Sequence, residues 1–364
     1  MALRCGIVGL PNVGKSSLFN ALTSGGAAAE NFPFCTIEPN VGMVPLADER
    51  LDKIAAIAGS KKKVAAHLQL VDIAGLVKGA AEGSGLGNKF LAHIREVDGI
   101  LHVVRCFADP DVPHVDGKID PVADASTVEL ELTLADQATA ARACERLRKQ
   151  TRSGNKEAAA ELALLERVHA ALDACEPLRA VALNDEERAL LKPLCFLTLK
   201  PVLYCANLGE DETPEASAGY AALRAHAEAT GAGIVAASAR IEAELAALDP
   251  AEQAEMLAEL GHADASLKRL AREAYALLGL ATFYTAGPNE ARAWEFRRGA
   301  TAPEAAGAIH GDMQRGFIRA ETISYEDYVA CGGEAGSREK GKLRLEGKDY
   351  RVADGDVLLF RFNV

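Results

Sequence analysis

The eight cysteines of this 364-residue chain form no CxxC pair, and no His/Cys group has zinc-ligand spacing. Neither a disulfide framework nor a metal cage of that kind is expected, and the cysteines read as reduced, mostly buried thiols of a cytoplasmic protein. Long hydrophobic runs are lacking too. "GILHVV" is typical and far too short to span a bilayer, so no membrane partner is expected. The opening "MALRCGIVGL" has no basic region followed by a long apolar run, which argues against a signal peptide. Nor is there an excess of positive charge. The 40 Lys and Arg stand against 52 Asp and Glu, a formal net charge of −12. That disfavours broad, non-specific nucleic-acid binding and leaves room only for a local basic face.

What is present is the composition of a soluble globular protein, with 49% hydrophobic and 25% charged residues, in a chain long enough for two or three domains. Short apolar runs read as buried strands: "LRCGIV", "HLQLVD", "GILHVVRCF", "KPVLYCAN" and "GIVAAS". Helical patterns lie between them, at "KSSLFNALTSGG", "ERLDKIAAIAG", "GLGNKFLAHIREV" and "ASAGYAALRAHAEATG". This alternation predicts an α/β fold with a doubly wound, mostly parallel sheet. Residues from about 126 to 195 interrupt it with two long Ala-, Leu-, Glu- and Arg-rich segments separated by "SGN", which predict an inserted antiparallel helical hairpin. Arg142, Arg146, Arg148, Lys149 and Arg152 crowd near its tip, either as a solvated helix end or as a contact surface for RNA or a ribosome. After about residue 280 the texture changes to short strands with Gly turns. The expected division is therefore residues 1–280 and a small α+β domain at 281–364.

"GLPNVGKSS", Gly9 to Ser17, fits GxxxxGK[ST] and sits between a predicted strand and a predicted helix. Its glycines allow backbone N–H groups to close around phosphate oxygens at a helix N-terminus. Asn12, Val13, Gly14, Lys15, Ser16 and Ser17 are the expected phosphate contacts, with Lys15 bridging the β- and γ-phosphates and Ser16 ligating Mg²⁺. Thr36 in "FPFCTIEPN" would close the Mg²⁺ shell. Cys35 beside it reads as an ordinary small buried residue, with redox sensing as the alternative. Asp72 in "LVDIAG" would hold a Mg²⁺-bound water, and the Gly75 N–H would reach the γ-phosphate. The Gly-rich "VKGAAEGSGLG" that follows is the expected moving segment.

Together "GLPNVGKSS", "NFPFCTIEPN", "DIAGLVKGA", "GLGNKFLAHIREVD", "HVVRCFADPDVPHVDGKIDP", "FLTLKP" and "RGFIRAE" resemble the YchF family of Obg-like ATPases over nearly the whole chain. The resemblance implies a P-loop NTPase domain of the translation-factor class carrying the hairpin, and a C-terminal β-grasp module of the TGS type. It implies a preference for ATP, association with ribosomes, and a role in translation or stress responses. RNA contact would run through the hairpin and the TGS-like module. The resemblance also places Phe107 near the base.

Guanine is commonly read by an Asn and, three residues later, an Asp. Here "NLGE" has Asn207, then Leu208 in place of the usual Lys, then Glu210, one methylene too long for the same position. Asn207 and the backbone at Leu208 are the expected base contacts, and ATP rather than GTP the expected nucleotide. After "DIAG" stands Leu76, which cannot orient water as the usual Gln does. His114 in "ADPDVPHVDG" is the catalytic candidate, with a surface-loop His as the alternative. In "PNVGKS" loops the Asn, here Asn12, can also ligate a K⁺ ion that substitutes for an arginine finger. Other readings are a GTP-hydrolysing ribosome-assembly factor of the Obg type, a small-molecule kinase, and a nucleotide-binding scaffold without turnover.

Overall fold

The computed structural model describes residues 3–24, 40–73, 85–114, 117–152, 155–260 and 265–363. Among the described residues there are twelve strands: β1 (Arg4–Val8), β2 (Val41–Pro45), β3 (Lys62–Val64), β4 (His67–Asp72), β5 (Gly99–Arg105), β6 (Val202–Asn207), β7 (Gly233–Ala237), β8 (Leu280–Ala286), β9 (Glu290–Arg297), β10 (Phe317–Ile323), β11 (Arg344–Glu346) and β12 (Val357–Phe362). They build two six-stranded sheets, ordered β2-β4-β1-β5-β6-β7 and β11-β10-β12-β8-β9-β3.

In the first sheet β1–β5, β5–β6 and β6–β7 pair in parallel. Every residue of β5 and of β6 is buried, which is why both read as unbroken apolar runs. The chain leaves β1 toward β4 and then crosses to β5 on the other side of β1. The order therefore reverses between β1 and β5, and in doubly wound sheets ligands bind at the carboxyl ends of the strands at such a switch point. The loops after β1, β5 and β6 begin there with Gly9, Cys106 and Leu208.

The predicted hairpin is present as helices Pro121–Thr151 and Lys156–Asp173. They run antiparallel, because Gln137 meets Asp173 at 2.5 Å and Arg148 meets Glu166 at 2.9 Å. Ala140, Ala143, Cys144 and Leu147 pack against Leu164, Leu165, Val168 and Leu172. The first helix starts at Pro121, five residues before the expected 126. Asp120 caps it through the Ala123 N–H, and Pro121 fits a first turn that needs no N–H. Apolar periodicity detects neither cap nor proline.

Residues 43–69 group with 275–364 in one compact unit, and 4–42 with 70–274 in another. A boundary at 281 would leave 43–69 with the N-terminal part. Instead β3 pairs in parallel with β9 at the end of the second sheet, and Arg50 in the helix Glu49–Ala58 reaches Asp354 at 3.1 Å. Asp48 caps that helix and also accepts the Tyr284 hydroxyl. A three-residue strand, Lys62–Val64, is too short for any pattern to announce its partner. The core of this unit is Phe283, Phe296, Phe317 and Phe360 with the alanines of the helix Ala302–Ile309. Among the described residues no helix is long and apolar enough to cross a membrane.

The hairpin joins the parallel sheet through a half-buried charged group. Glu129 bonds the Tyr204 hydroxyl at 2.6 Å and His226 Nε2 at 3.1 Å, and pairs with Arg179, whose Nε donates to Thr230 O at 3.1 Å. Burial pushes the Glu129 carboxyl up, but the His226 bond, the Arg179 charge and the Tyr204 hydroxyl outweigh it and hold the pKa down to about 2. The depressed folded-state value stabilises the fold above the unfolded pKa of about 4.5, and this is lost as pH falls from there toward 2. Glu129→Gln should cost about 3 kcal/mol near pH 7, since the Arg179 charge would lose its half-buried partner. In urea melts the gap between the variant and the unmodified protein should narrow by about 3 kcal/mol toward pH 2. A pH-independent gap would place the effect elsewhere.

Candidate functional site

The loop after β1 needs unusual backbone at three places: Gly9 has φ +153°, Asn12 +60° and Gly14 +95°. A Cβ on Gly9 would lie 2.4 Å from Val103 O, and one on Gly14 2.4 Å from Asn207 Nδ2, so both positions require glycine. Asn tolerates the left-handed region at Asn12. Its Nδ2 donates to Pro113 O at 3.3 Å, which ties this loop to the one after β5. The helix Lys15–Ser24 follows directly, with the Leu18 N–H on Gly14 O at 3.0 Å. Lys15 is 8% exposed, and its Nζ donates to Leu10 O at 2.6 Å. Burial lowers its pKa to about 8, against the opposing charge of Asp72. Asp72 ends β4 with its own carboxyl raised by burial, partly offset by Lys15 and Ser16, and Ser16 Oγ donates to it at 3.4 Å. Ser16 and Ser17 are exposed on the first turn.

Asn207 ends β6 and is 3% exposed. Its Nδ2 donates to Val13 O at 2.9 Å, and its Oδ1 accepts the Ala239 N–H at 2.9 Å. One amide hydrogen remains for a ligand. The Leu208 N–H is spent on Ala237 O at 2.9 Å. A cavity of about 680 Å³ extends from Asn12, Gly14 and Ser17 to Phe107, Leu208, Glu210 and Arg240. That volume suits a nucleotide-sized ligand. Glu210 is paired with Arg240 at its rim.

Thr36, Gly75, Cys35 and Leu76 lie outside the described residues, as does the segment 74–84 that holds most of the Gly-rich run. His114 is not an open surface residue. Its side chain is 8% exposed, with Nε2 2.9 Å from Asp124 Oδ2, a carboxylate in the first turn of the helix Pro121–Thr151. Among the described residues no group of three or more His, Cys, Asp or Glu could hold a metal. The hydroxyl of Ser16 and the carboxylate of Asp72 are nevertheless hard oxygen donors of the kind Mg²⁺ takes alongside phosphate and water. Sequence reasoning missed Asp124, Arg240 and Arg105. Only the fold brings Asp124 to His114 and Arg240 to the cavity, and Arg105 sits inside a run that reads as plain buried strand.

A strand, a glycine-constrained loop and a helix N-terminus at the switch point of a doubly wound sheet define a P-loop NTPase. Comparison with known proteins places it more narrowly. Residues 4–138 match the family described as "50S ribosome-binding GTPase", and residues 280–363 match the YchF-GTPase_C family, described as "Protein of unknown function (DUF933)". Proteins named "Ribosome-binding ATPase YchF" from Bacillus subtilis (strain 168) and Haemophilus influenzae are 50% and 52% identical to it, with each chain fully covered. A solved structure described as the Schizosaccharomyces pombe YchF GTPase superposes with a TM-score of 0.90 at 35% identity, covering 99% of this chain and 97% of that one. The chain belongs to the YchF family.

With Lys15 on the phosphates, as the GxxxxGK[ST] pattern leads one to expect, its burial would make nucleotide binding pH-dependent. Phosphate oxygens would hold the charged ammonium, so binding would keep or take up its proton. ADP affinity should be flat from pH 7 to 7.5 and fall as pH rises through about 8, approaching tenfold per pH unit beyond it. Titration calorimetry to pH 9.5 tests this, and an affinity unchanged across that range would remove Lys15 from the phosphates.

Proposed function

We propose that this protein is an ATP-binding and ATP-hydrolysing switch of the P-loop class, dependent on Mg²⁺, that acts on the ribosome in translation or stress responses. The observation that carries the reading is the cavity running from the Gly9–Ser16 loop to the "NLGE" segment. The curated relatives named as ribosome-binding ATPases support the activity and the partner.

In this reading Asn12, Val13, Gly14, Lys15, Ser16 and Ser17 surround the phosphates, and Lys15 exchanges Leu10 O for β- and γ-oxygens. Ser16 and Asp72, with Thr36, would hold Mg²⁺, which would supply charge neutralisation on those oxygens. The Gly75 N–H meets the γ-phosphate. Phe107, Asn207 and Leu208 take the base. The Leu208 N–H is already used, so its contribution is apolar contact or its carbonyl. Guanine needs an acceptor for its N1–H and exocyclic amine, whereas Glu210 is turned to Arg240. A K⁺ ion at Asn12 is the second cofactor. Residues 4–42 with 70–274 form the nucleotide-binding unit, with the hairpin as insertion, and 281–364, grouped with 43–69, hold the TGS-like module. RNA contact runs through the hairpin and that module, and the protein works in the cytoplasm.

His114 acts on the attacking water after leaving Asp124. His114→Ala should lower turnover about a hundredfold or more, the low end of what a positioned proton-transfer group contributes, with ATP affinity nearly unchanged. Affinity falling in step with turnover would make the residue structural.

Phosphate release from ATP and GTP, with and without Mg²⁺, tests the activity. ATP should be preferred, and Lys15→Ala should abolish turnover. Leu208→Lys with Glu210→Asp should weaken the preference by about ten- to a hundredfold, the cost of unpaired donors at a buried site. A GTP preference in the unmodified protein would favour the Obg-type assembly factor. Co-sedimentation with ribosomal subunits in ATP and in ADP tests the partner.

A further inference from the structure

Arg105 ends β5 and is 1% exposed, the bulkiest fully buried side chain among the described residues. Among these residues no carboxylate pairs with it. Its guanidinium instead donates to backbone carbonyls of the next loop: Nε to Phe107 O at 3.1 Å, Nη1 to Val112 O at 3.0 Å and Nη2 to Asp109 O at 3.2 Å. The plane of charge also lies 4.5 Å from the centre of the Phe107 ring.

Burying an arginine costs several kcal/mol unless its hydrogens are satisfied, and a charged donor makes each carbonyl bond about twice as strong as a neutral one. Two of the three carbonyls belong to Asp109–Pro110 and Val112–Pro113 peptides. Proline has no N–H, so turning these carbonyls inward leaves no orphan donor on the outer side. The loop is thus drawn around one cation. It contributes Phe107, Ala108, Asp109 and Val112 to the cavity wall, and at Pro113 it meets Asn12 of the phosphate loop.

We infer that Arg105 is a positioning residue for the base: it fixes the 106–113 loop and backs the Phe107 ring, so that the ring's other face is held ready for a purine. A cation behind the ring draws electron density away from it, which favours stacking with the electron-rich purine on the opposite face. This inference rests on the nucleotide reading above, and it adds a residue that never touches the ligand.

The test is a double-mutant cycle on ATP affinity by titration calorimetry, well below the melting temperature of each variant. Phe107→Ala should weaken ATP about tenfold, the scale of one lost base–aromatic stack. Arg105→Met, close in shape but without charge or donors, should weaken it similarly. The double variant should be no more than twofold worse than Phe107→Ala, because Arg105 acts through the ring and its loop. Arg105→Lys keeps the charge but not the planar fork, so it should fall between the unmodified protein and Arg105→Met. It carries the same cycle if Arg105→Met does not fold. ATP affinity unchanged in the folded Arg105 variant, or losses at the two positions that add in full, would overturn the role. A general loss of stability would move the melting temperature without this non-additivity. Failure of the unmodified protein to bind ATP would overturn the nucleotide reading itself.

Discussion

The site depends on one side-chain amide. Asn207 spans from Val13 O to the Ala239 N–H, and so locks together the loops after β1, β6 and β7 at the carboxyl edge of the sheet. Gly14 has no Cβ because that amide occupies the space. Parallel pairing sets the distance the amide must bridge, and β5 carries the same edge across to Cys106, whose N–H reaches Asn207 O at 2.9 Å. The end of the cavity at the loop after β1 and the end at Leu208 are therefore fixed against one another by hydrogen bonds to a single residue.

Much of this was legible in the sequence, and the reason differs by element. The strands of the first sheet were visible because burial on both faces makes continuous apolar runs, as in "GILHVVR" and "VLYCAN". The phosphate loop was visible because its glycines answer a steric demand that no other residue meets. The hairpin was visible from composition, though its start at Pro121 depends on a capping aspartate that carries no periodic signal. Residues whose roles depend on tertiary contact were not legible. Nothing in "ADPDVPHVDG" says that His114 rests on Asp124, and nothing in "SAR" says that Arg240 meets Glu210.

The unit formed by 43–69 and 275–364 shows the same divide. Its short strands with Gly turns could be read from the sequence. Its hold on the helix Glu49–Ala58 could not, since Asp48, Arg50, Tyr284 and Asp354 are scattered over three hundred positions of sequence and combine only when folded. Burial raises the Tyr284 hydroxyl pKa, and the Asp48 carboxylate accepting its proton raises it further. The phenol therefore stays a donor to Asp48 throughout the physiological pH range.

The helix Pro121–Thr151 is bolted to the sheet domain at three carboxylates: Asp124 to His114, Glu129 to Tyr204 and His226, and Asp136 to the N–H groups of Leu197 and Thr198. These anchors cover about 18 Å of an axis about 46 Å long. Beyond them the helix packs on Lys156–Asp173 and its surroundings. Sliding it by one turn would strand two buried acids and one half-buried one at once, so it moves as a stiff beam or not at all. A load on its free end is delivered to the partners of these three carboxylates, and at Asp124 that partner is His114. The hairpin is in mechanical terms a lever whose short arm ends beside the proposed catalytic imidazole.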